Sequence, residues 1–481
     1  MDSLVLGLIT KIRTDQRIAD SLKKAAIERE ERADSLLREI QQIARKANSA
    51  ATRAIINQLI LDVANLKRQN ADTDSIQRRA IASFLLNEEN DDPSELRFDI
   101  YQALSTATDD LRSLNAHFDE VQDVLYDTDK DLLFSAGSDG YIRIWRWGDD
   151  SNNYENIHSF RHSNNNIGIR ALALDNRERR FLLSGDNNGR TYLWDTWLFQ
   201  EGSIQTTFLE TRRIFTDAAV DQLIPNGHNQ DSVFFFAIST DGQVAEITVL
   251  NEKIIDVGQP SYFKGKNVLS LSASPETILI AFTDLTGYRV QLLNPAVMTI
   301  KHSFDLDPDT KINTSAFAKN GRHFALGRDS SQILFLENKS GIWEETEINL
   351  SDGEEAITIS NLSFVQNDKY LVAIGTDNNA RVWEIDPEVS LLPTESQPLI
   401  IDIGTWGKKV AEIPARGAIL AVAGRDHSIK VFSFTEDSMV EKISHSMGIK
   451  PEDGLTDPHF QKIISDYNIN ALEGFGGLNS Q

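Results

Sequence analysis

In two stretches of the chain, the acidic residues have the alternating spacing that is typical of calcium-binding loops. They are Asp127-x-Asp129-x-Asp131 and Asp305-x-Asp307-x-Asp309, in which oxygens on every second residue could converge on one cation. Neither stretch continues with the glycine and the distal glutamate that complete such a loop. We therefore interpret both as solvated turns between strands and predict no metal site.

No set of residues suits nucleophilic or cofactor chemistry. The chain has no cysteine, which excludes thiol nucleophiles and disulfides and indicates a reducing compartment. His158 and His162 fall in a predicted outer strand and its loop, so we expect them to form a surface pair. There is no Gly-x-Ser-x-Gly motif, and Gly474, Gly476 and Gly477 have no helix after them that could complete a phosphate site. The sequence predicts no catalytic residue, no cofactor and no enzyme activity.

A repeat occupies the chain from about Leu111 to Asp437. Four segments align without gaps: AGSDGYIRIW from Ala136, LGRDSSQILF from Leu326, IGTDNNARVW from Ile374 and AGRDHSIKVF from Ala423. Three weaker copies lie between them: LSGDNNGRTYLW, STDGQVAEI and AFTDLTGYRVQLL. The seven copies recur about every 48 residues, which is the period of four-stranded propeller blades. We predict a β-propeller of about seven blades, with the least defined blade boundaries between residues 200 and 300.

Each copy carries residues suited to architecture. An aspartate at a tight turn can accept backbone N–H groups and hold a hairpin in register, and a strand-end aromatic can pack between blades. We assign the turn role to Asp139, Asp241, Asp329, Asp377 and Asp426. We assign the aromatic role to Trp145, Trp194, Phe335, Trp383 and Phe432.

These copies resemble WD40 repeats over roughly residues 111–437. Trp194-Asp195 is the one WD dipeptide, while Trp145-Arg146 and Trp383-Glu384 occupy the same place with the acid lost or lengthened. No copy has the family's Gly-His dipeptide at its usual distance. The resemblance implies an all-β seven-bladed WD40-like β-propeller, preceded here by an all-α helical arm, that binds other proteins.

The resemblance also implies how the ring closes. In WD40 proteins the outermost strand of the last blade usually comes from the segment before the first blade. The last unit of this chain lacks one strand, and residues 111–115 are the expected donor.

Residues 1–110 are predicted to form the helical arm. From Thr10 to about Arg68 the chain has almost no glycine or proline, and further helices are expected at about 52–69, 74–88 and 94–110. A coiled-coil-like seam runs from Ala19 to Ala50 and includes Leu22, Leu36, Ile40 and Ile43. This seam either packs within a helical bundle or joins a second copy or another protein.

The order of arm and propeller resembles bacterial STAND-type signalling and defence proteins. In those proteins a similar helical segment joins an NTPase region to a C-terminal WD40 sensor. This sequence has no Gly-x-x-x-x-Gly-Lys-[Ser/Thr] phosphate loop. The resemblance therefore implies a sensor half that acts on an effector carried by another chain.

The net charge of −24 is unevenly distributed, because residues 1–80 carry +4 and the remainder carries −28. An acidic body repels phosphate backbones, so we expect no nucleic-acid partner at the propeller. The apolar run Leu4 to Ile9 is too short to cross a bilayer. We therefore expect a cytoplasmic protein with no membrane association.

Residues 438–481 are predicted to be an acidic tail with a short amphipathic helix that begins at Asp457-Pro458. Phe460, Ile463, Ile464 and Tyr467 fall at helical spacing and give this helix an apolar stripe. The stripe docks either on the protein's own propeller or in a groove of a partner.

These observations favour a non-enzymatic interaction scaffold or sensor, in which the propeller binds a protein and the arm couples it to an effector or enzyme on another chain. A structural homo-oligomer assembled through the arm is an alternative. A second alternative is an enzyme whose site lies in the propeller channel, where acids from several blades could converge.

Overall fold

The structure is a computed structural model, and its described residues fall into two compact units. One unit combines described residues of Met1–Thr108 and Val440–Gln481, and the other is formed by Asp109–Met439. The described residues are 23–24, 49–88, 96–108, 111–148, 153–162, 167–196, 207–228, 231–273, 276–285, 287–295, 297–306, 311–350, 356–385, 398–447 and 463.

The larger unit consists of seven four-stranded antiparallel sheets, which are the blades of a β-propeller. Blade 1 contains β2 (Val121–Asp127), β3 (Leu132–Gly137), β4 (Tyr141–Gly148) and β5 (Asn153–Arg161). Blade 2 contains β6 (Ile169–Leu174), β7 (Phe181–Asp186), β8 (Arg190–Asp195) and β9 (Thr207–Arg213). Blade 3 contains β10 (Val220–His228), β11 (Ser232–Ser239), β12 (Val244–Leu250) and β13 (Lys253–Gly258). Blade 4 contains β14 (Asn267–Ala273), β15 (Ile278–Asp284), β16 (Gly287–Leu293) and β17 (Ile300–Asp305).

The remaining blades continue this order along the chain. Blade 5 contains β18 (Ile312–Phe317), β19 (His323–Arg328), β20 (Gln332–Lys339) and β21 (Ile342–Asn349). Blade 6 contains β22 (Ile359–Val365), β23 (Tyr370–Gly375), β24 (Asn379–Glu384) and β25 (Leu399–Asp402). Blade 7 contains β26 (Gly407–Ile413), β27 (Ile419–Gly424), β28 (Ser428–Ser433) and β1 (Arg112–Asn115). The seven-bladed propeller predicted from the repeat is confirmed.

The last sheet joins the two ends of the propeller. Its outer strand β1 precedes blade 1 in the sequence and pairs antiparallel with β28, so that Leu114 lies opposite Ile429. The side chains of both residues are buried, in one apolar cluster with Trp145 of blade 1. Blade 7 is therefore completed by backbone hydrogen bonds between segments from opposite ends of the propeller sequence.

All seven innermost strands carry a β-bulge near their first residue. The register shifts after Val121, Ile169, Val220, Val268, Ile312, Ile359 and Gly407. These seven residues are all buried. The residues that follow them are of seven different types, namely Gln122, Arg170, Asp221, Leu269, Asn313, Ser360 and Lys408. A bulge leaves its extra residue unpaired and re-aims its side chain, so the wall of the channel varies from blade to blade.

The smaller unit is helical. Its helices are α1, described over residues 49–68, α2 (Thr73–Glu88) and α3 (Arg97–Thr108). Asp72 caps the N-terminus of α2, because its carboxylate accepts a hydrogen bond from the Ser75 backbone N–H at 2.7 Å. The buried residues Ile56, Leu59 and Val63 of α1 follow helical spacing. Helices before the propeller are thus confirmed.

The C-terminal segment differs from the expected tail. A helix that was not predicted, α4 (Glu436–Met447), crosses the division between the units at Val440. It begins at Glu436, within the segment that was expected to end the propeller, and its residues Met439, Val440 and Ile443 are buried. No helix in the described part of the chain is long and apolar enough to cross a membrane.

Candidate functional site

The turn that contains the repeat aspartate lies at one end of every blade, beside the loop that enters the blade from its predecessor. In six blades a turn residue donates its N–H to a carbonyl of that loop. These bonds run from Ser138 to Glu120, Asn187 to Gly168, Thr240 to Ala219, Asp329 to Lys311, Thr376 to Thr358 and Arg425 to Trp406, at 2.9 to 3.2 Å. We call this end of the propeller the turn face.

Blade 1 contains a continuous hydrogen-bond relay beneath the turn face. The indole N–H of Trp145 donates to Ser135 Oγ at 3.0 Å, and Ser135 Oγ lies 2.9 Å from Nε2 of His117. Nδ1 of His117 lies 2.9 Å from Oδ1 of Asp139. Asp139 also accepts the backbone N–H groups of Phe118 and Tyr141. One aspartate thus ties its own turn to the blade-to-blade loop and, through two side chains, to the strand-end tryptophan.

The electrostatics of this relay favour a charged aspartate and a neutral histidine. Burial alone would raise the pKa of Asp139, but the hydrogen bond from His117 and those from the backbone lower it well below its usual range. Burial lowers the pKa of His117, although its contact with Asp139 acts in the opposite sense. Because buried polar groups are costly without partners, this relay stabilises the fold.

Blade 2 repeats the arrangement with a histidine that was expected at the surface. His162 is buried, with Nδ1 2.8 Å from Ser184 Oγ, and Ser184 Oγ also accepts the indole N–H of Trp194 at 2.8 Å. Nε2 of His162 lies 3.5 Å from Asp186, the turn aspartate of this blade. The expected surface pair is therefore wrong, because His162 faces the neighbouring blade while His158 stays partly exposed on β5.

Sequence reasoning missed His117 and His162 because it looked for a Gly-His dipeptide. Ala116 precedes His117, and Arg161 precedes His162. The usable signal was the spacing, since the histidines lie 22 residues before Asp139 and 24 residues before Asp186. Gly137 completes this packing in blade 1, because a Cβ at that position would lie 2.3 Å from the His117 ring.

The other turn aspartates bind different partners. Asp426 accepts Ser428 Oγ at 2.6 Å and Lys430 Nζ at 2.9 Å, and Asp377 binds Asn379 at 3.0 Å and Arg381 at 2.5 Å. Asp241 binds Ser239 and Gln243, whereas Asp329 binds Lys311 and Asn313. The assigned strand-end aromatics Trp145, Trp194, Phe335, Trp383 and Phe432 are all buried.

The structure describes all three aspartates of the first predicted acidic loop but only Asp305 of the second. Asp127 is fully buried, accepts the Asp129 N–H at 3.1 Å and pairs with Lys130 at 2.8 Å, so it does not lie in a solvated turn. Asp307 and Asp309 lie outside the described residues. Within the described ranges no group of three or more histidine, cysteine, aspartate or glutamate side chains could hold a metal ion.

The central channel encloses a polar cavity of about 340 Å³ lined by residues of all seven innermost strands. Its carboxylates are Asp123 and Asp221. Asp221 pairs with Arg170 at 2.6 Å, and Asp123 accepts the Leu172 N–H of the neighbouring blade at 2.8 Å. Burial raises the pKa of Asp123 to about 6. No histidine is among the described residues that line the cavity, so it holds no carboxylate–histidine pair for acid–base chemistry.

The turn face of blades 7 and 1 carries exposed aromatic side chains beside arginines. Phe118 is 84% exposed and Trp406 is 42% exposed, although both lie in blade-to-blade loops of a well-packed propeller. The guanidinium of Arg425 lies 4.4 Å from the centre of the Trp406 ring, and that of Arg143 lies 5.6 Å from the centre of the Phe118 ring. We define the arginine–aromatic patch as Phe118, Tyr141, Arg143, Arg161, Trp406 and Arg425.

The predicted helical surfaces lie largely outside the described residues. Leu22, Leu36, Ile40 and Ile43 of the seam are not among them, nor are Phe460, Ile464 and Tyr467 of the C-terminal stripe. Ile463 is described, and it is helical and buried.

Comparisons with known proteins agree with this fold. The family model "WD domain, G-beta repeat" matches residues 108–146, which span β1, β2, β3 and most of β4. The crystal structure of the Cps50 (Swd1) β-propeller domain from Myceliophteria thermophila is similar, with a TM-score of 0.51 at 16% identity. The match covers 67% of this chain and 99% of that one. No curated protein matches the sequence.

Proposed function

We propose that this chain, a seven-bladed β-propeller that carries a WD40 repeat, is a non-enzymatic scaffold or sensor subunit whose turn face binds a protein partner. The fold is consistent with a protein-interaction scaffold. The observation that carries the proposal is the exposure of Phe118 and Trp406 on one sector of the turn face. Large aromatic rings that reach water beside arginines are the side chains that dominate binding energy at protein interfaces.

The rigidity of this sector supports the assignment. The Phe118 backbone N–H is held by Asp139 at 3.0 Å, and the Trp406 carbonyl accepts the Arg425 N–H at 3.0 Å. Both aromatic residues are thus presented by loops whose backbones are already ordered. A preorganised surface loses less entropy on binding than a loop that must first become ordered.

The channel does not favour the alternative of an enzyme. Its carboxylates are engaged by Arg170 and by the Leu172 backbone N–H, and their bonds link neighbouring blades. Loss of these bonds between blades is expected to weaken the fold before it affects any reaction.

We further propose that the helical arm couples the propeller to an effector or enzyme on another cytoplasmic chain, such as a bacterial signalling or defence effector. The separation of the helices from the propeller as a compact unit supports this division of roles. A homo-oligomer assembled through the arm is the alternative. Light scattering of the full chain over a range of concentrations tests it, and a strict monomer at high concentration would exclude it.

A comparative crosslinking experiment tests the turn-face assignment. The wild-type chain and the double variant Phe118→Ala/Trp406→Ala are crosslinked in native lysate, and the captured proteins are identified by mass spectrometry. Ile342→Ala is the matched control, because Ile342 is 70% exposed but lies on the outer strand of blade 5. We expect a protein that the wild type and the control capture and the double variant does not. An identical set of proteins for all three would refute the assignment.

A further inference from the structure

We propose that the arginine–aromatic patch recognises an acidic segment of its protein partner, one that places apolar side chains against Trp406 and Phe118 and carboxylates against the arginines. This inference rests on the proposed function and adds the chemistry of the partner. The exposed arginines of the patch favour an acidic occupant.

The blade 7 half of the patch is organised around Glu120. Its carboxylate accepts a hydrogen bond from Arg425 Nε at 2.8 Å and also forms an ion pair with Lys408, so it lies between two cations. Hydrogen bonds from Lys408 and Arg425 lower the pKa of Glu120 despite its partial burial. Arg425 is thereby held against the Trp406 ring, and about half of its side chain stays exposed. The trio of Glu120, Lys408 and Arg425 retains one positive charge.

The blade 1 half of the patch contains two further arginines. Arg143 pairs with Asp139 at 2.9 Å and lies 5.0 Å from the centre of the Tyr141 ring. The Arg161 guanidinium lies 5.1 Å from the same ring and donates to the Tyr141 hydroxyl at 2.8 Å, which leaves its remaining N–H groups for an incoming acceptor. Arg161 is exposed, and its side chain is held in place by a neutral hydroxyl group.

The patch presents exposed arginines on a strongly acidic molecule. The acidic groups in the turns and loops of this sector are Glu120 and Asp139, both in ion pairs with patch residues or Lys408, and Asp426, which is paired with Lys430. Two exposed acids join them: Asp119, and Asp402, which accepts a hydrogen bond from the Gly404 N–H in the loop that carries Trp406. The cations Arg143, Arg161, Lys408, Arg425 and Lys430 equal these acids in number, so this sector lacks the excess of negative charge that gives the whole chain its net charge of −24.

A short acidic peptide fits this distribution better than a nucleic acid does. Its carboxylates can meet the planar guanidinium groups of Arg161 and Arg425 in charge-assisted hydrogen bonds, while its apolar side chains cover the free ring faces. A nucleic-acid strand would also stack on the aromatic rings, but its backbone would extend from the patch over the surrounding acidic surface.

The test measures binding of labelled probes to the full chain by fluorescence anisotropy. The probes are a short peptide of glutamates interspersed with leucine and phenylalanine, the same peptide with lysine at every glutamate, and a single-stranded oligouridylate of similar length. We expect the acidic peptide to bind, and the other two not to bind. Trp406→Ala and Arg161→Glu should each weaken binding of the acidic peptide by about tenfold or more.

Two controls locate the effect. Leu285→Ala removes an exposed side chain from the turn of blade 4, on the same face but in another sector, and should leave the affinity unchanged. Thermal unfolding of each variant shows separately whether that variant is folded. If Arg161→Glu perturbs the fold, Arg161→Lys replaces it in the binding test, because lysine keeps the positive charge.

The outcomes separate this inference from the proposed function. Preferential binding of the basic peptide, lost in Trp406→Ala, would overturn the acidic-segment inference and leave the turn face as a protein-binding site. Preferential binding of the oligouridylate would overturn both. If none of the probes bound, the inference would be refuted, and the crosslinking comparison would still decide the proposed function.

Discussion

Nδ1 of His117 lies 2.9 Å from Oδ1 of Asp139, and this contact joins the loop that leaves blade 7 to the turn of blade 1. The same loop donates its Phe118 N–H to the other carboxylate oxygen of Asp139. The exposed Phe118 of the arginine–aromatic patch is thus positioned by the buried relay below it. One carboxylate thus supports both the packing of the ring and the loop of the proposed binding patch.

Removal of the histidine should destabilise the propeller. His117→Ala removes one hydrogen-bond partner from each of Ser135 and Asp139 in a buried site. We expect a loss of about 2 to 3 kcal/mol in the free energy of unfolding, measured by urea denaturation. His228→Ala, at an exposed position of β10, should change it by less than about 0.5 kcal/mol. A double-mutant cycle of Ser135→Ala and Trp145→Phe should give a coupling energy of at least about 0.5 kcal/mol. Additive effects would argue against a continuous relay.

The ring-closing strand offers a second test. Leu114 is buried in the cluster between blades 7 and 1, so Leu114→Ala should lower the stability by about 2 to 4 kcal/mol and speed unfolding in kinetic measurements. Ser113 lies next to it on the exposed side of β1, and Ser113→Ala should cost less than about 1 kcal/mol. Equal effects of the two substitutions would mean that the packing of β1 contributes little to closure of the ring.

Asp123 should make stability depend on pH. Burial raises its pKa to about 6 in the folded state, from an unperturbed value of 3.8. The folded state therefore binds the proton more tightly, and this contribution to stability is present below the unfolded pKa and is lost as the pH rises through about 6. Asp123→Asn keeps an oxygen for the Leu172 N–H but carries no charge.

We expect this variant to be more stable than the wild type near pH 8, by up to about 3 kcal/mol, with the difference shrinking toward pH 4. Thermal unfolding of both proteins across this range measures it. The opposite trend, with the variant losing stability as the pH rises, would mean that the carboxylate gains more from Lys409 than it loses by burial.

The turn of blade 2 requires glycine because of its backbone conformation and because a neighbouring loop lies close to it. A matched pair of variants can separate these two causes. Gly189 has a φ of +72°, and a Cβ there would lie 2.3 Å from the Phe215 carbonyl oxygen. Gly341 has a φ of +92° in a turn where a Cβ would meet no atom within 4 Å. Gly341→Ala should cost about 1 kcal/mol from backbone strain alone.

Gly189→Ala should cost at least about 3 kcal/mol in thermal or urea unfolding, because the blade-to-blade loop must also move away. A similar cost at the two positions would show that the loop yields freely, and that the hydrogen bonds from Ile214 and Phe215 to the Gly189 carbonyl do not hold it rigidly.

Much of the propeller could be predicted because its signals are local. An aspartate in a two- or three-residue turn and an aromatic residue a few positions later depend only on the hairpin that contains them, so Asp139 and Trp145 mark the same hairpin in sequence and in structure. The expected closing segment 111–115 and the observed strand Arg112–Asn115 also coincide, since the last unit visibly lacked a strand. Helix α4 escaped prediction because its apolar residues are few and lie directly after a strand.

The repeat thus specified the number of blades and the residues that build them, because each hairpin is encoded within its own short stretch of chain. The buried relay and the arginine–aromatic patch arose only when the ring closed. His117 acquired its partners from a turn 22 positions away, and Lys408 reached Glu120 across 288 positions. Contacts between residues so far apart in the sequence depend on how the twisted sheets pack around the propeller axis. A local pattern of residue types does not predict that packing.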